Sequence, residues 1–381
     1  MKKVALIPLE DYDTNRTQKA LDEAFDLLGG LEEKIRPGMR VLVKANLLRR
    51  AVPEECITTH PAVVEALCRK IAALGATAVI GDSPGGPFYA SLLRGVYSRT
   101  GMALAAERSG AQLNYDVSAG DVRFERGKAL KELNIASMAI EADAIISVAK
   151  MKTHGLTGFT GAVKNLFGIV PGTVKVEYHA RFPHIDDFAD MLVDVAEYAA
   201  PVYSVIDAVE AMEGEGPSSG DPVHAGALIV SDNAHAADAV AISMMNILPV
   251  QIPTFARAAD RGLIRRDCSD VEVCGEEVAD MIVEDFVIRL PKTTQTDFTH
   301  RVPRFLQGIA QRLLRVKPVF DDKTCTGCGV CAESCPPKTV KMLDGRPDVD
   351  LSACIRCFCC QELCPRHCVH VHRPLLVRWI R

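Results

Sequence analysis

Two runs of cysteine near the end of the chain have a spacing that suits metal chemistry. Both read C-x2-C-x2-C-x3-C-P, and each cysteine of the second run lies 29 residues after its counterpart in the first. The first run is Cys325, Cys328, Cys331 and Cys335, and the second is Cys354, Cys357, Cys360 and Cys364. The fixed offset indicates an internal duplication. In a reducing cytosol, closely spaced cysteines are more often metal ligands than disulfides.

The duplicated segment resembles the bacterial-type ferredoxins with two four-iron clusters, over about 55 residues. In that arrangement three cysteines of a run bind one cluster and the fourth binds the other cluster. The resemblance therefore implies one cluster on Cys325, Cys328, Cys331 and Cys364, and another on Cys354, Cys357, Cys360 and Cys335. Two zinc sites are the alternative, but zinc sites more often use paired C-x2-C knuckles.

Two further cysteines of this segment, Cys359 and Cys368, fall outside the repeated spacing. We expect both to be small buried apolar residues. A regulatory role or a role as an alternative ligand is the other interpretation.

The preceding part of the chain must position any other chemistry, and its pattern alternates between strands and helices. We expect strands over 4–9, 40–47, 76–82, 141–150, 203–209 and 225–231, with helices over 15–28 and 61–76. This alternation predicts an α/β fold, a mostly parallel sheet covered by helices, followed by a small α+β ferredoxin-like domain. Ligands of such sheets bind beyond the carboxyl ends of the strands, where Lys44, Asn46 and the turn 82–86 are also found.

The segment 150–172, KMKTHGLTGFTGAVKNLFGIVPG, follows one of the predicted strands and has the composition of an anion site. Lys150, Lys152, His154 and Lys164 lie among glycines, and Asp and Glu are absent from all 23 positions. Lysines supply positive charge, and glycines let backbone amides approach phosphate or carboxylate oxygens. The segment contains neither a P-loop nor a dinucleotide-binding fingerprint. A solvated glycine-rich loop is the alternative.

Acidic residues follow another predicted strand. Asp207 and Glu213 can bind a metal, accept a ribose hydroxyl or exchange protons, or they can serve as turn and cap residues. Single histidines elsewhere, including His60 and His179, have no partner that the sequence identifies.

The stretches KMKTHGLTGFTGAVKNLFGIVPG and VIDAVEAMEGEGPSSGDP together resemble the bacterial and archaeal domain-of-unknown-function family 362. The resemblance covers most of residues 1–290, and some members of that family carry a ferredoxin-like module. It implies an iron–sulfur architecture and no particular reaction. It also implies that these residues form one site, without assigning any of them a catalytic role: Lys150, Lys152, His154, Lys164, Asn165, Asp207, Glu213, Gly214 and Gly216. By their chemistry His154, Asp207 and Glu213 are the catalytic candidates, and Lys150, Lys152, Lys164, Asn165, Gly214 and Gly216 are the ligand-binding candidates.

The charges of the chain are distributed unevenly. From Arg301 onward Lys and Arg outnumber Asp and Glu by 14 to 7, whereas the remainder has 30 against 42. We expect an α/β domain over 1–290, a linker over 291–317, the ferredoxin-like domain over 318–373 and a tail over 374–381. Within the linker, residues 304–316 predict an amphipathic helix that docks the domain, with a basic membrane-surface helix as the alternative.

The sequence also limits the location and the partners. It has no signal-peptide core and no run that approaches the roughly 18 apolar residues of a membrane span. We therefore predict a cytoplasmic protein with no transmembrane segment and without peripheral membrane contact. The part of the chain before Arg301 is acidic and has no recognised nucleic-acid-binding motif, which disfavours nucleic-acid binding. The basic C-terminal part favours an acidic redox partner protein.

These features predict a cytosolic reductase or redox maturation enzyme. It would relay single electrons through two [4Fe-4S] clusters to an anionic substrate or cofactor in the α/β domain. A ferredoxin-type electron carrier or docking adaptor without its own catalytic site is the first alternative, and an iron–sulfur redox or oxygen sensor is the second. A flavin or another phosphate-bearing cofactor would suit the anion site, although no residue pattern demands one.

Overall fold

The computed structural model describes residues 1–86, 88–288, 290 and 316–372. The strands before the C-terminal module are β1 (Lys2–Pro8), β2 (Arg40–Ala45), β3 (Thr77–Gly81), β4 (Gln112–Leu113), β5 (Ala119–Arg123), β6 (Glu132–Ala136), β7 (Ala144–His154), β8 (Gly158–Thr160), β9 (Tyr203–Glu213), β10 (Asp221–Ser231) and β11 (Val271–Gly275). Nine of them form one sheet with the order β11-β1-β10-β9-β7-β2-β3-β4, in which β8 pairs with β7. The other two, β5 and β6, form a separate hairpin.

The sheet is mostly parallel, which confirms the predicted α/β fold. Strands β4, β3, β2, β7 and β9 pair in parallel, as do β1 and β11. Strand β10 runs antiparallel to both β1 and β9, and β8 folds back on β7. The carboxyl ends of β3, β2, β7 and β9 therefore meet at one edge of the sheet.

Helices cover both faces of the sheet. They are α1 (Thr14–Leu27), α2 (Pro61–Ala73), α3 (Ala90–Arg99), α4 (Met102–Ser109), α5 (Ser137–Ile140), α6 (Ala162–Asn165), α7 (Gly172–Arg181), α8 (Ile185–Ala199), α9 (Ala234–Met244) and α10 (Pro253–Asp260). On one face, Phe25 of α1 and Leu67 of α2 belong to the same apolar core as Val43 of β2. On the other face, Phe188 of α8 and Ile242 of α9 share a core with Ile206 of β9. Each such side chain stabilises the fold by about 1.5–3 kcal/mol.

Strand β7 shows why the sequence folds in this way. All eleven of its residues are buried, which is expected for a central strand with helices on both sides. Its first half, AIISVA, packs in the two apolar cores. Lys150, Lys152 and His154 lie in its second half, toward the carboxyl end. Burial of these polar groups is costly unless they are paired, so the carboxyl end of β7 must be surrounded by partners.

The C-terminal module, residues 316–372, contains two small antiparallel strand pairs. Strand β12 (Lys317–Phe320) pairs with β15 (Val369–His372), and β13 (Val340–Leu343) pairs with β14 (Arg346–Val349). Two short helices, Val330–Glu333 and Cys359–Glu362, each follow a cysteine loop. The linker with its expected helix over 304–316 and the tail over 374–381 lie outside the described residues except for Val316 and Lys317. The division into four segments stays a prediction.

Candidate functional site

The carboxyl ends of the parallel strands form one wall of a partly open cavity of about 70 Å³, which we call the cation-lined cavity. Lys44 comes from β2, Asp82 follows β3, and Lys152 and His154 end β7. The other charged or polar side chains on its surface are Asn46, Ser83, Thr160, Lys164, Asn165, Lys175, His179, Cys359 and Glu362. The position agrees with the rule that ligands bind beyond the strand ends.

A buried ion pair lies at the base of this cavity. Nζ of Lys44 is 2.9 Å from Oδ1 of Asp82, and both side chains are almost fully buried. The amide of Leu47 donates to Oδ2 of Asp82 at 2.7 Å. Burial lowers the pKa of Lys44 and Asp82 opposes this shift. Gly168 packs directly against the pair, since a Cβ there would lie 2.0 Å from Asp82 Oδ1.

Asn165 ties three elements together beside this pair. Its Oδ1 accepts from Nζ of Lys44 at 3.0 Å, and its Nδ2 donates to the carbonyl of Lys44 at 2.9 Å and to Oγ of Ser147 at 3.0 Å. These bonds fix α6 against β2 and β7. Asn165 is thereby engaged within the protein, and its part in the site is to hold Lys44.

Lys152 is fully buried and bonds to the chain that follows β2. Its Nζ donates to Oδ1 of Asn46 at 2.8 Å and to the carbonyl of Ile57 at 2.7 Å. Burial lowers its pKa to about 7, although the charge of Glu362 opposes the shift. Near neutral pH the group therefore changes its charge easily, because neither bond partner is a carboxylate.

His154 holds a defined proton on the cavity surface. Its Nδ1 accepts from the amides of Leu156 and Thr157 at 3.0 and 3.3 Å. Burial, reinforced by Lys164, lowers its pKa to about 4, so the ring is neutral and its single proton is on Nε2. That atom lies 3.7 Å from Oε2 of Glu362, too far for a hydrogen bond. Burial opposes ionisation of Glu362, but His154 and Lys164 lower the pKa of its carboxyl.

Lys164 is the least engaged cation of the cavity. Within the described residues it makes no hydrogen bond and no ion pair, and its Nζ lies 5.9 Å from the centroid of the Phe167 ring. Burial lowers its pKa, against the charges of Glu362 and Cys359. Its ammonium is therefore available to a ligand.

Helix α7 supplies a further wall that the sequence did not reveal. Gly172, Lys175, Val176 and His179 all line the cavity, and their spacing places them on one face of a helix. Nζ of Lys175 donates to the carbonyl of Ser83, and burial lowers its pKa to about 7. His179 stacks on Phe188 with 4.4 Å between ring centroids, and burial lowers its pKa to about 3.

Lys150 and Asp207 do not line this cavity. They face each other in the pairing of β7 with β9, and Lys150 Nζ lies 3.0 Å from Asp207 Oδ2. The hydroxyl of Tyr12 accepts from Lys150 and donates to Asp207 Oδ1, both at 2.8 Å. Asp207 also accepts from the amide of His60 at 2.8 Å. Both charges are thus fully paired in a closed network.

The backbone beside the site is held by Glu213 and Gly214 and is closely packed at Gly216. Oε2 of Glu213 accepts from the amide of Val287, and the amide of Gly214 donates to the carbonyl of Val287, both at 2.7 Å. Gly214 has a φ of 74°, which favours glycine. A Cβ on Gly216 would lie 2.3 Å from the carbonyl oxygen of Thr153, so glycine is needed where this segment crosses the end of β7.

Two further cavities lie in the C-terminal module, and each is lined by four of the eight repeated cysteines. The first cysteine cavity is lined by Cys325, Cys328, Cys331 and Cys364. The second cysteine cavity is lined by Cys335, Cys354, Cys357 and Cys360. The fourth cysteine of each run therefore lies beside the first three cysteines of the other run. Among the described residues, no group of three or more His, Cys, Asp or Glu side chains is arranged to hold a single metal ion.

The surroundings of these cysteines suit a group held by thiolates. The amide of Gly327 donates to Sγ of Cys325 at 3.4 Å, and that of Thr339 donates to Sγ of Cys335 at 3.3 Å. Such donors stabilise negative charge on sulfur. Gly327 has a φ of 70°, and a Cβ there would lie 2.4 Å from the carbonyl oxygen of Gly345.

Cys359 and Cys368 are buried, as expected. Sγ of Cys368 lies 3.3 Å from Sγ of Cys364 and lines the first cysteine cavity. Cys359 instead lines the cation-lined cavity. Their chemical roles stay predictions.

The module contacts the α/β part through the helix Cys359–Glu362 and the residues that follow it. Gln361 Nε2 donates to the carbonyl of Glu215 at 3.0 Å. The guanidinium of Arg49 lies 2.9 Å from Nε2 of His367, whose Nδ1 is 2.9 Å from Oγ of Ser219. Leu363 packs on Gly85, where a Cβ would lie 2.4 Å from its Cδ2. These contacts place Glu362 at the cavity.

Sequence reasoning found only part of this site. Lys152, His154, Lys164 and Asn165 were expected, and the polar residues after β2 and β3 were noted without a role. Lys175, His179 and Glu362 were missed. A lysine and a histidine four residues apart on a helix are only a weak indication of a binding site. Glu362 gives no such indication in the sequence, because its position depends on how the module docks on the α/β part.

A parallel α/β sheet with a cationic cavity at its strand ends, joined to a module with two four-cysteine cavities, defines the class of protein. Residues 41–243 match the family model described as domain of unknown function, DUF362. Residues 317–365 match that of the 4Fe-4S dicluster domain. The chain belongs to the family DUF362 and carries an iron–sulfur domain, which confirms the resemblance of both parts.

The chain is similar to a relative over most of its length and to two solved structures over part of it. A thylakoid-associated protein from Synechocystis sp. is 30% identical over 324 residues, covering 81% of this chain and 97% of that protein. The lactate racemase apoprotein from Thermoanaerobacterium thermosaccharolyticum aligns at TM-score 0.37 and 14% identity, over 61% of this chain and 55% of its own. A protein from Thermotoga maritima aligns at TM-score 0.33 and 15% identity, over 58% of this chain and 56% of its own. The chain thus spans little more than half of these solved structures. Among the described residues, no helix is long and apolar enough to cross a membrane.

Proposed function

We propose that this protein is a reductase or redox maturation enzyme that passes single electrons through two four-iron clusters to an anionic molecule in the cation-lined cavity. One observation carries the proposal: the lysines at the strand ends and Cys359, Glu362 and Leu363 of the module line the same cavity. Cys359 stands between Cys357 and Cys360, which line the second cysteine cavity. A bound molecule would therefore lie next to the group that these cysteines hold.

The residues of the chain would divide the work as follows. The cysteines around the two cysteine cavities would hold the clusters, which supply one-electron transfer when bound. Lys152, Lys164 and Lys175 would attract the anion, while Phe167 and Leu363 would exclude water from one side of it. His154 would donate a hydrogen bond from Nε2 to the bound anion, and its neutral ring would keep that proton.

The electrons and protons of such a reaction balance simply. A reduced one-electron carrier protein of the ferredoxin class would be oxidised twice in succession. The bound molecule would gain two electrons and two protons, and both protons would come from solvent. An acidic carrier suits the basic C-terminal part of the chain.

The test starts with protein purified without oxygen. We expect about eight irons and eight sulfides per chain. We also expect that an anionic molecule is released on denaturation, and that its return to the reduced protein speeds re-oxidation of the clusters. Intact clusters without any such molecule, or without faster re-oxidation, would favour the carrier or adaptor. In that case the cavity lysines would affect partner affinity in a salt-dependent manner.

We also propose a cytoplasmic location. The Synechocystis relative is described as thylakoid-associated, so fractionation after gentle lysis is a direct check. A large membrane-bound fraction that is released by salt would contradict the proposal and would favour the membrane-surface alternative for residues 304–316.

A further inference from the structure

Four buried polar atoms on the surface of the cation-lined cavity have no hydrogen-bond partner within the described residues. One is Oδ1 of Asp82, which lies in the ion pair with Lys44. The other three are Nε2 of His154, Oγ of Ser83 and Oγ1 of Thr160, and these residues are 4%, 1% and 4% exposed. Buried polar atoms without a partner are rare in native proteins because each is costly to desolvate. Since all three can donate a hydrogen bond, their convergence indicates a ligand with several acceptor oxygens.

The charges around the cavity set the charge of that ligand. The lining includes Lys44, Lys152, Lys164 and Lys175 together with two carboxylates, Asp82 and Glu362. Asp82 is paired with Lys44 at 2.9 Å. With all six groups ionised the cavity has a surplus of two positive charges, and a dianion would balance it.

The walls of the cavity limit the size of the group that it admits. A Cβ on Gly172 would lie 2.1 Å from the carbonyl oxygen of Gly86, and one on Gly168 would lie 2.4 Å from Nζ of Lys44. Neither wall therefore has room for a side chain in place of its glycine. The centroid of the Phe167 ring lies 5.9 Å from Nζ of Lys164 and 5.8 Å from Nζ of Lys175. The charge must therefore be concentrated on a compact group.

We propose that the cation-lined cavity is a site for a compact, oxygen-rich dianionic group. This chemistry is shared by a phosphate monoester and a short dicarboxylate. Ser83, Thr160 and His154 donate neutral hydrogen bonds to it, and Lys164 provides an ammonium that has no hydrogen-bond or ion-pair partner among the described residues. The inference rests on the proposed function in one respect: this group anchors the molecule that the protein reduces.

The experiment is calorimetric titration of the full chain, purified without oxygen with its clusters, at pH 7 and constant ionic strength. The probes are methyl phosphate, malonate and the monoanion acetate. We expect one of the two dianions to bind at least about tenfold more tightly than acetate. Tighter binding of methyl phosphate identifies the phosphate source, and tighter binding of malonate identifies the dicarboxylate source. Failure of both dianions to exceed acetate overturns the proposal.

Conservative variants then test the donors. Ser83→Ala and Thr160→Val remove hydroxyls that have no partner in the part of the chain that the structure describes, so we expect an unchanged or higher melting temperature. We expect the affinity for the dianion to fall about tenfold or more, as for a hydrogen bond to a charged group. In His154→Asn the side-chain oxygen can still accept from Leu156 and Thr157, but the Nε2 donor is lost, and a similar fall is expected.

Matched controls exist elsewhere in the fold. Ser204 and Thr58 also have buried hydroxyls without a partner in the described residues, but neither lines the cavity. Ser204→Ala and Thr58→Val should leave the affinity unchanged. Equal affinities in Thr160→Val and Thr58→Val, or a lower melting temperature for Ser83→Ala alone, would show that these hydroxyls support the fold and would overturn the proposal.

The two proposals can fail separately. If a dianion binds and the donor variants weaken it, but the bound molecule never re-oxidises the reduced clusters, the reductase fails and the dianion site stands. If the clusters are re-oxidised by a molecule that competes with neither dianion, the dianion site fails and the reductase stands.

Discussion

Oε2 of Glu362 lies 3.7 Å from Nε2 of His154, and this contact joins the cysteine loop of the module to the end of β7. Glu362 and Cys359 line the cation-lined cavity, Cys360 lines the second cysteine cavity and Cys364 lines the first. Six consecutive residues therefore reach all three cavities. A ligand in one cavity lies within a few residues of the groups held in the other two.

The crossing of the fourth cysteines can be tested with two double variants. If the crossing holds, Cys325→Ala/Cys364→Ala removes two ligands of one cluster, and we expect about four irons to remain. Cys354→Ala/Cys364→Ala removes one ligand from each cluster, and we expect both to be lost or altered. Iron analysis and the paramagnetic resonance spectrum of the reduced protein distinguish the two variants. The reverse pattern would mean that each run binds its own cluster.

Loss of the charge of Lys164 should affect binding without affecting the fold. We expect Lys164→Gln to bind the preferred dianion about tenfold more weakly or worse, with the cluster spectrum intact. The melting temperature should change little, because the ammonium makes no hydrogen bond or ion pair in the described part of the chain. Lys19→Gln, which removes an exposed lysine of α1, is the charge control. An unchanged affinity in Lys164→Gln would remove Lys164 from the site.

Binding of the dianion should take up protons above neutral pH. Burial lowers the pKa values of Lys152 and Lys175 to about 7, so at pH 8 both are mainly neutral in the free protein. A dianion stabilises their charged forms and raises both pKa values. The affinity for malonate should therefore fall as the pH rises from 7 to 9. His154 and His179 stay neutral in this range, since their pKa values are lowered to about 4 and about 3.

Calorimetry at pH 8 in two buffers with different ionisation enthalpies measures this uptake directly. We expect between about one and two protons per malonate bound, and about one fewer in Lys152→Met. Binding without proton uptake would contradict the assignment of Lys152 and Lys175 to the dianion. Malonate suits the test because it is fully ionised at these pH values.

Gly168 should be essential to the buried ion pair beside it. A Cβ there would lie 2.0 Å from Asp82 Oδ1 and 2.4 Å from Lys44 Nζ, so Gly168→Ala must displace one of the two charges. We expect a loss of about 1–3 kcal/mol in the free energy of unfolding. Gly155→Ala is the control, because the nearest atom there is 3.8 Å away, and it should cost under about 0.5 kcal/mol. Equal denaturation midpoints would contradict the role of Gly168.

Residues 150–172 illustrate how far the sequence leads. A glycine-rich, carboxylate-free segment after a buried strand predicted the position of Lys152, His154, Lys164 and Asn165, because the carboxyl ends of parallel strands meet at one edge of a sheet. Lys150 belongs to the same stretch but faces Asp207 of β9 in the strand pairing. A register shift follows between Lys150 and Lys152, and such an irregularity re-aims side chains.

The sequence by itself determined the features that depend on residues close together in the chain. The cysteine repeat, the strand–helix alternation and the cationic segment are properties of neighbouring residues, whose chemistry and geometry are local. The tertiary structure decided which charges are paired and which remain available. Asp207 pairs with Lys150, Asp82 pairs with Lys44, and Glu362 comes to the cavity from 208 residues beyond His154. These outcomes depend on strand order and on the docking of the module. Such contacts bring together residues far apart in the chain, and local patterns do not encode them.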